Sequence, residues 1–445
     1  MTAFIETVAT PTSSGLERDA RSISHGDAVD PGQIALGVII GRAAEFFDFF
    51  VYAIASVLVF PHLLFPWAEP LTATLYSFCI FPLAFLARPL GSVIFMSIDR
   101  RHGRGVKLTI AMFLLGGSTA VMAFLPSYAE AGAAAIAMLA ILRFVQGVAL
   151  GGAWDGLASL LALNAPQNRR GWYAMMPQLG APIGFVLAAA LFCYFVSSLS
   201  PADFYDWGWR FPFFVAFTIN VVALFARLRL VATSEFGSLL ERHELEAARI
   251  SDTVGKHGVT ILMGAFVPLA SYALFHLVTV FPLSWASLVT KQDVGHFLLI
   301  QIIGGCIGFV SIMVSGIMAD RVGRRTHLGN AAALIAVFSF VTPQLYGAGN
   351  WGEDAYVLIG FGLLGLSLGQ AAGALASNFS RAYRYTGAAL TSDLAWLLGA
   401  GFAPLVALGL SSKFGLSMIG LYLLSGAAST LVALYFNKQL ETRDE

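Results

Sequence analysis

The chain has 445 residues, of which 57% are hydrophobic and 12% charged, against roughly 45–50% and about 25% in a soluble domain. With 26 basic and 26 acidic side chains and a mean hydropathy of +0.75, it cannot cover a water-soluble fold of this size with polar groups. The composition therefore predicts an all-α membrane protein. The zero net charge argues against a nucleic-acid partner, and without a GxxxxGKS or GxxxxGKT loop no nucleotide cofactor is expected.

Residues 1–33 are polar, with Glu6, Glu17, Asp19, Asp27 and Asp30 and no apolar core, and read as a disordered tail rather than a cleaved signal peptide. About 20 apolar residues cross the ~30 Å of hydrocarbon. Twelve stretches qualify, near residues 34–60, 70–97, 106–126, 132–162, 171–197, 208–229, 258–288, 294–318, 327–347, 355–378, 385–410 and 415–436. Cys79, Cys193 and Cys306 fall inside such stretches and read as small core residues, with no disulfide or metal framework. Residues 230–257 divide the spans into two sixes, 34–229 and 258–436. Arg242, Glu246 and Arg249 at helical spacing suggest a surface-lying helix in this linker. Residues 437–445 form a short second tail.

Lysine and arginine are retained on the cytoplasmic side of a membrane. Sixteen lie on one side: Arg100, Arg101, Arg104, Lys107, Arg169, Arg170, Arg227, Arg229, Arg242, Arg249, Lys256, Arg321, Arg324, Arg325, Arg381 and Arg384. Arg210, Lys291 and Lys413 are the three opposite them. Both termini are thus expected in the cytoplasm, with Trp67, Trp207, Trp209 and Trp351 near the outer interface.

The halves repeat. At an offset of 220 residues Arg101, Gly103 and Arg104 fall on Arg321, Gly323 and Arg324, and Gly147 to Ser159 shares seven of thirteen positions with Gly365 to Ser377. Taken singly, the glycines in those segments read as close helix packing. With Asp320, Arg321, Gly323, Arg324 and Arg325 matching a GxxxDRxGRR-like loop, the chain resembles the major facilitator superfamily. Within it the chain is similar to the metabolite:proton symporters, carriers of shikimate, citrate, 2-oxoglutarate and proline or betaine. The matching pieces are EFFDF at Glu45, ARPLG at Ala87, RFVQGVALGG at Arg143, APQNRRG at Ala165, QLGAPIG at Gln178 and YRYTGAAL at Tyr383. The chain departs from that pattern at Ala153, where an acidic residue is expected, at Arg100, with Asp99 displaced by one, and at Ser377 to Ser380.

An ionised side chain at a helix centre costs ~2.5–3.5 kcal/mol or more, so each is a functional candidate. Asp48 and Arg143 fall at similar depths, ~20 and ~17 Å from opposite ends of their spans, and are expected to meet. Arg88 is expected to pair with Glu45 or Asp48. A carboxylate whose Arg is drawn away by solute could take up a proton, which nominates Asp48, Glu45, Asp155 and Asp393 for coupling. Arg143 and Arg88 are candidates to bind solute, with Gln146, Gln178, Trp154, His276 and Trp396 as cavity groups. Asp99, Arg100, Arg101, Arg104, Asp320, Arg321 and Arg324 are gate candidates. Asp320 can accept from backbone amides at a helix start, whereas Arg100 in the matching position cannot.

These features predict a twelve-helix, two-bundle secondary transporter working by alternating access. It is expected to be a monomer in the lipid bilayer of the plasma membrane, a bacterial inner membrane, with a small-molecule solute. The resemblance implies proton symport of a small organic acid or zwitterion. A facilitator or exporter, and a solute sensor with a transporter fold, remain as alternatives.

Overall fold

The computed structural model describes residues 31–153, 161, 165, 167–231, 248–376, 379 and 381–437. Every regular element among the described residues is helical. Eleven helices are long and apolar enough to cross a membrane. They are α2 (Pro70–His102), α3 (Arg104–Met122), α4 (Ala133–Gly152), α5 (Arg170–Ser198), α6 (Gly208–Arg229), α7 (Leu269–Thr290), α8 (Val294–Val322), α9 (Arg324–Gly347), α10 (Asn350–Ala376), α11 (Ala382–Phe414) and α12 (Ser417–Phe436). The 28-residue α1 (Pro31–Leu58) takes the first of the twelve expected places; Arg42, Glu45 and Asp48 lower its hydropathy without shortening it.

The arrangement is inside-out relative to a soluble protein. Large apolar side chains such as Phe124, Phe225 and Phe340 project outward, each about two-thirds exposed, while Glu45, Asp48, Arg143, Arg227 and His276 are buried. In hydrocarbon the backbone is satisfied within each helix, so outer faces need only be apolar and polar groups collect between helices. α1 packs on α5 and α6, α2 on α4, and α3 on α4 and α6. α8 packs on α10, and α12 on α7 and α9. Two seams join the first six helices to the last six, α5 against α8 and α2 against α11.

The repeated sequence segments do the same work twice. A Cβ on Gly147 or Gly151 of α4 would strike the backbone of α2, and one on Gly365 of α10 would strike the Gly308 carbonyl of α8. The two arginine-rich loops shrink to one residue each. Gly103 ends α2 and Gly323 ends α8, both at φ 83°, a conformation that a side chain disfavours.

Several expectations need correction. Arg100 and Arg101 belong to the last turn of α2, not to a loop. The seventh apolar stretch divides into Ile250–Phe266 and α7 at Val267 and Pro268. Trp209 is fully buried and donates to the Tyr205 carbonyl at 3.1 Å, whereas Trp67, Trp207 and Trp351 are exposed. Cys79 and Cys306 lie on exposed faces instead of in the core. In the linker, Arg242 and Glu246 lie outside the described residues.

Candidate functional site

The centre of the molecule holds a guanidinium in an aromatic cage. Arg143 is fully buried on α4, its guanidinium carbon 3.8 Å from the centroid of Tyr52, 5.0 Å from that of Phe81 and 5.6 Å from that of Phe49. Its Nε donates to the Phe81 carbonyl at 3.4 Å and its Nη1 to Gln146 Oε1 at 3.1 Å. Its Nη2 makes no hydrogen bond, and no carboxylate pairs with it among the described residues. His276 of α7 shares the cage, its ring 5.3 Å from Phe49 and 5.2 Å from Phe81, and both of its nitrogens lack partners. The Tyr52 hydroxyl is likewise buried and unpartnered. Trp396 of α11 stacks on Tyr272 at 4.1 Å and meets Phe275 edge-on at 5.2 Å, closing one side.

Asp48 does not meet Arg143. Asn220 of α6 donates to Asp48 Oδ2 at 2.5 Å and to the Ala216 carbonyl at 2.8 Å. The link to Arg143 is indirect: Gln146 Nε2 donates to Thr119 Oγ1 at 2.7 Å, and Thr119 of α3 stands beside Asp48. Uncharged side chains take the places the two charges were expected to fill for each other: Asn220 at Asp48 and Gln146 at Arg143.

The partners expected for Arg88 are also wrong. Glu45 is held by Arg227 Nη2 of α6 and by Arg42 Nη1, each at 2.5 Å, and Arg227 Nη1 donates to the Ala153 carbonyl at 2.9 Å. Arg88 instead pairs across the α2–α11 seam, its Nε 2.7 Å from Asp393 Oδ1, while Ser92 donates to Asp393 Oδ2 at 2.5 Å. One ion pair therefore holds two helices from opposite halves of the chain.

The arginine-rich end carries further contacts between the halves. Asp320 of α8 accepts from the Gly171 and Trp172 amides at the start of α5, at 2.6 and 3.1 Å. Gln370 of α10 donates to the Gly171 carbonyl at 3.0 Å and accepts from Arg324 Nε at 3.3 Å. Asp99 pairs with Arg104 at 2.9 Å and Lys107 at 3.8 Å. Those two reach Tyr385 of α11: Lys107 donates to its hydroxyl at 2.7 Å and the Arg104 guanidinium lies 4.4 Å from its ring centroid. Arg100, Arg101 and Arg321 are exposed, and Arg100 donates to Ser97. Gln178 is buried in a 3-10 turn of α5, Met176–Leu179. Trp154 and Asp155 lie outside the described residues.

Tyr52, Thr119, Asn220, Arg227 and Tyr385 were missed by sequence reasoning. Arg227 counts as one of many basic residues beyond a span, and the others are uncharged. Their signal is polarity inside an apolar helix, which is cheap for Thr, Asn or Tyr and so draws less notice than charge.

A bundle of membrane helices with a sealed polar centre and two seams between its halves is the architecture of a transporter rather than an enzyme. The sugar (and other) transporter family model matches residues 34–261. The chain is 36% identical over 440 residues to the inner membrane metabolite transport protein YhjE of Escherichia coli (strain K12), covering 97% of this chain and all of that one. It is 29% identical over 420 residues to the shikimate transporter of the same organism, covering 90% and 93% of the two chains. Its fold matches the crystal structure of a D-xylose-proton symporter with a TM-score of 0.70 at 19% identity, over 93% of this chain and 99% of the other. The chain belongs to the sugar (and other) transporter family, and its fold is that of the major facilitator superfamily.

Proposed function

We propose that the chain is a proton-coupled carrier of small organic acids or zwitterions that works by alternating access between residues 34–229 and 258–436. The observation that carries this reading is Arg143, a buried guanidinium with one nitrogen free and, among the described residues, no carboxylate beside it. Keeping such a charge in the membrane is expensive, and a solute carboxylate is the partner whose arrival offsets the cost. The Tyr52 hydroxyl and His276 are the other polar groups available to it.

Asp48 is the proposed proton carrier. Among the described residues its charge is offset by no basic side chain, so a proton is the remaining means of neutralising it. Gln146 bridges Arg143 to Thr119, which stands beside Asp48, and this is the proposed route by which solute binding reaches the carboxylate. The Arg88–Asp393 pair, the Asp320 contacts and the Tyr385 cluster form the proposed gate, and the excess of positive charge at that end supports a cytoplasmic position for it. The name of one relative in Escherichia coli, an inner membrane metabolite transport protein, supports metabolite transport in a bacterial inner membrane, and a single chain is the proposed working unit.

Competition binding on purified protein with matched acids and amides tests the reading. Arg143→Lys keeps the charge and loses the planar fork, so acids should bind at least ~10-fold more weakly. Equal binding of acids and amides, or parent-like binding by Arg143→Lys, refutes the anion site.

A further inference from the structure

Beside the Arg143 cage lies a narrow cleft of about 20 Å³ between α1, α5, α7, α8 and α10. Phe50, Phe185, Phe275, Phe361 and Leu364 are among its lining residues, and Thr279 is the only lining side chain with a polar atom. The Thr279 hydroxyl already donates to the Phe275 carbonyl at 2.7 Å, which removes its hydrogen from use by a ligand. Cleft and cage are neighbours through adjacent residues. Phe49 packs on Arg143 while Phe50 lines the cleft, and His276 stands in the cage while Phe275 lines the cleft. The rings of Phe49 and Phe275, 6.2 Å apart, stand between the two.

We infer that the solute is an amphipathic monocarboxylate, its carboxylate on Arg143 and an aromatic, alicyclic or branched hydrocarbon body in this cleft. The inference rests on the carboxylate reading above and narrows it. A second carboxylate on a body lying in the cleft would find no basic group there, since none of the described residues that line it carries one. A polyhydroxylated body would bury hydroxyls against phenyl and alkyl groups, and each one left without a partner costs about tenfold in affinity. An apolar body loses no hydrogen bond there, and because α1 and α5 belong to the first half and α7, α8 and α10 to the second, parting the halves widens the cleft to admit it.

Binding is the suitable assay, since the neutral forms of such acids cross lipid unaided. The saturable rise in melting temperature of the detergent-purified full chain is measured with benzoate, cyclohexanecarboxylate, their carboxamides, shikimate, succinate and glycine betaine. Benzoate and cyclohexanecarboxylate should half-saturate at concentrations at least tenfold below those of shikimate, succinate and glycine betaine, and the carboxamides should give no shift. If shikimate, succinate or glycine betaine binds as well as cyclohexanecarboxylate, the narrowed solute class is overturned while the carboxylate site survives. If the carboxamides bind like the acids, or none of the acids binds, the carboxylate reading fails and this inference with it. Phe361→Ala widens the cleft on the side of α10, away from Arg143, and should improve 1-adamantanecarboxylate relative to benzoate by about fivefold or more. An unchanged ratio in a folded variant would overturn the placement of the hydrocarbon body.

Discussion

Asp320→Ala removes both oxygens that hold the start of α5 to the end of α8. The first amides of a helix have no acceptor within it, so Gly171 and Trp172 depend on a partner from outside. Asp320 supplies that partner at 2.6 and 3.1 Å. A hydrogen bond to a charged group contributes ~1.5–3 kcal/mol. The side chain is half-buried, so the lower figure applies to each bond, and losing two shifts the closed seam by about 3 kcal/mol, or roughly 100-fold in population. Asp320→Asn retains one acceptor oxygen and loses the charge, which leaves a shift of about tenfold. Hydrogen exchange of a peptide spanning residues 170–176, measured on the full chain in detergent, reads this directly. Exchange should quicken by about two orders of magnitude in Asp320→Ala and one in Asp320→Asn. Asp99→Asn should do less, because Arg104 and Lys107 remain seated on Tyr385 without it. The reasoning is refuted if Asp320→Ala leaves that peptide protected, or if Asp99→Asn exposes it equally.

Asp48→Asn should preserve solute exchange across proteoliposomes and abolish uphill accumulation driven by a pH gradient; undiminished accumulation would remove Asp48 from coupling. Exchanging the seam partners, Arg88→Asp with Asp393→Arg, should restore at least part of the transport that either single change reduces by tenfold or more. If the double variant is as poor as the worse single one, attraction between those two charges is not what the seam requires. A cytoplasm-active reporter fused after Lys256 should be on and one inserted near Glu353 off, and a signal at Glu353 would reverse the proposed orientation.

The number and extent of the membrane helices were legible because hydrocarbon thickness sets a length that composition reports without reference to packing. Even α1, with three charges, keeps that length. The partners of buried charges were not legible. A helix that is apolar on nearly every side has no amphipathic stripe to fix its rotation, so Asp48 and Arg143 could be placed at similar depth but not aimed. Glu45 found Arg227, 182 residues away, at a helix end counted only for its charge. Arg88 found Asp393 across a seam for which an internal repeat gives no register. Asp320 fared better because its role depends on chemistry local to a helix start. The sequence also named Arg143, Gln146, His276 and Trp396, but not the phenyl rings that enclose them, since phenylalanine in a membrane span is unremarkable until its neighbours are known.

The 3-10 turn Met176–Leu179 divides α5 into a short leading piece, Arg170–Met175, and a long shaft, Gly180–Ser198. The leading piece is fastened to α8 and α10 by Asp320 and Gln370, whereas the upper shaft lies on α1, where a Cβ at Gly184 would meet the Ala43 and Phe47 backbone. One helix is thus moored at its tip to the far half of the molecule and along its body to both α1 and α8. Any rocking that parts the halves must slide the shaft off α8 and either cast off the tip or flex α5 at Pro177 and Gln178, where the change in helical pitch already weakens the rod. The stiffness of this four-residue turn, as much as any charge, sets how far the two halves can part before the tip lets go.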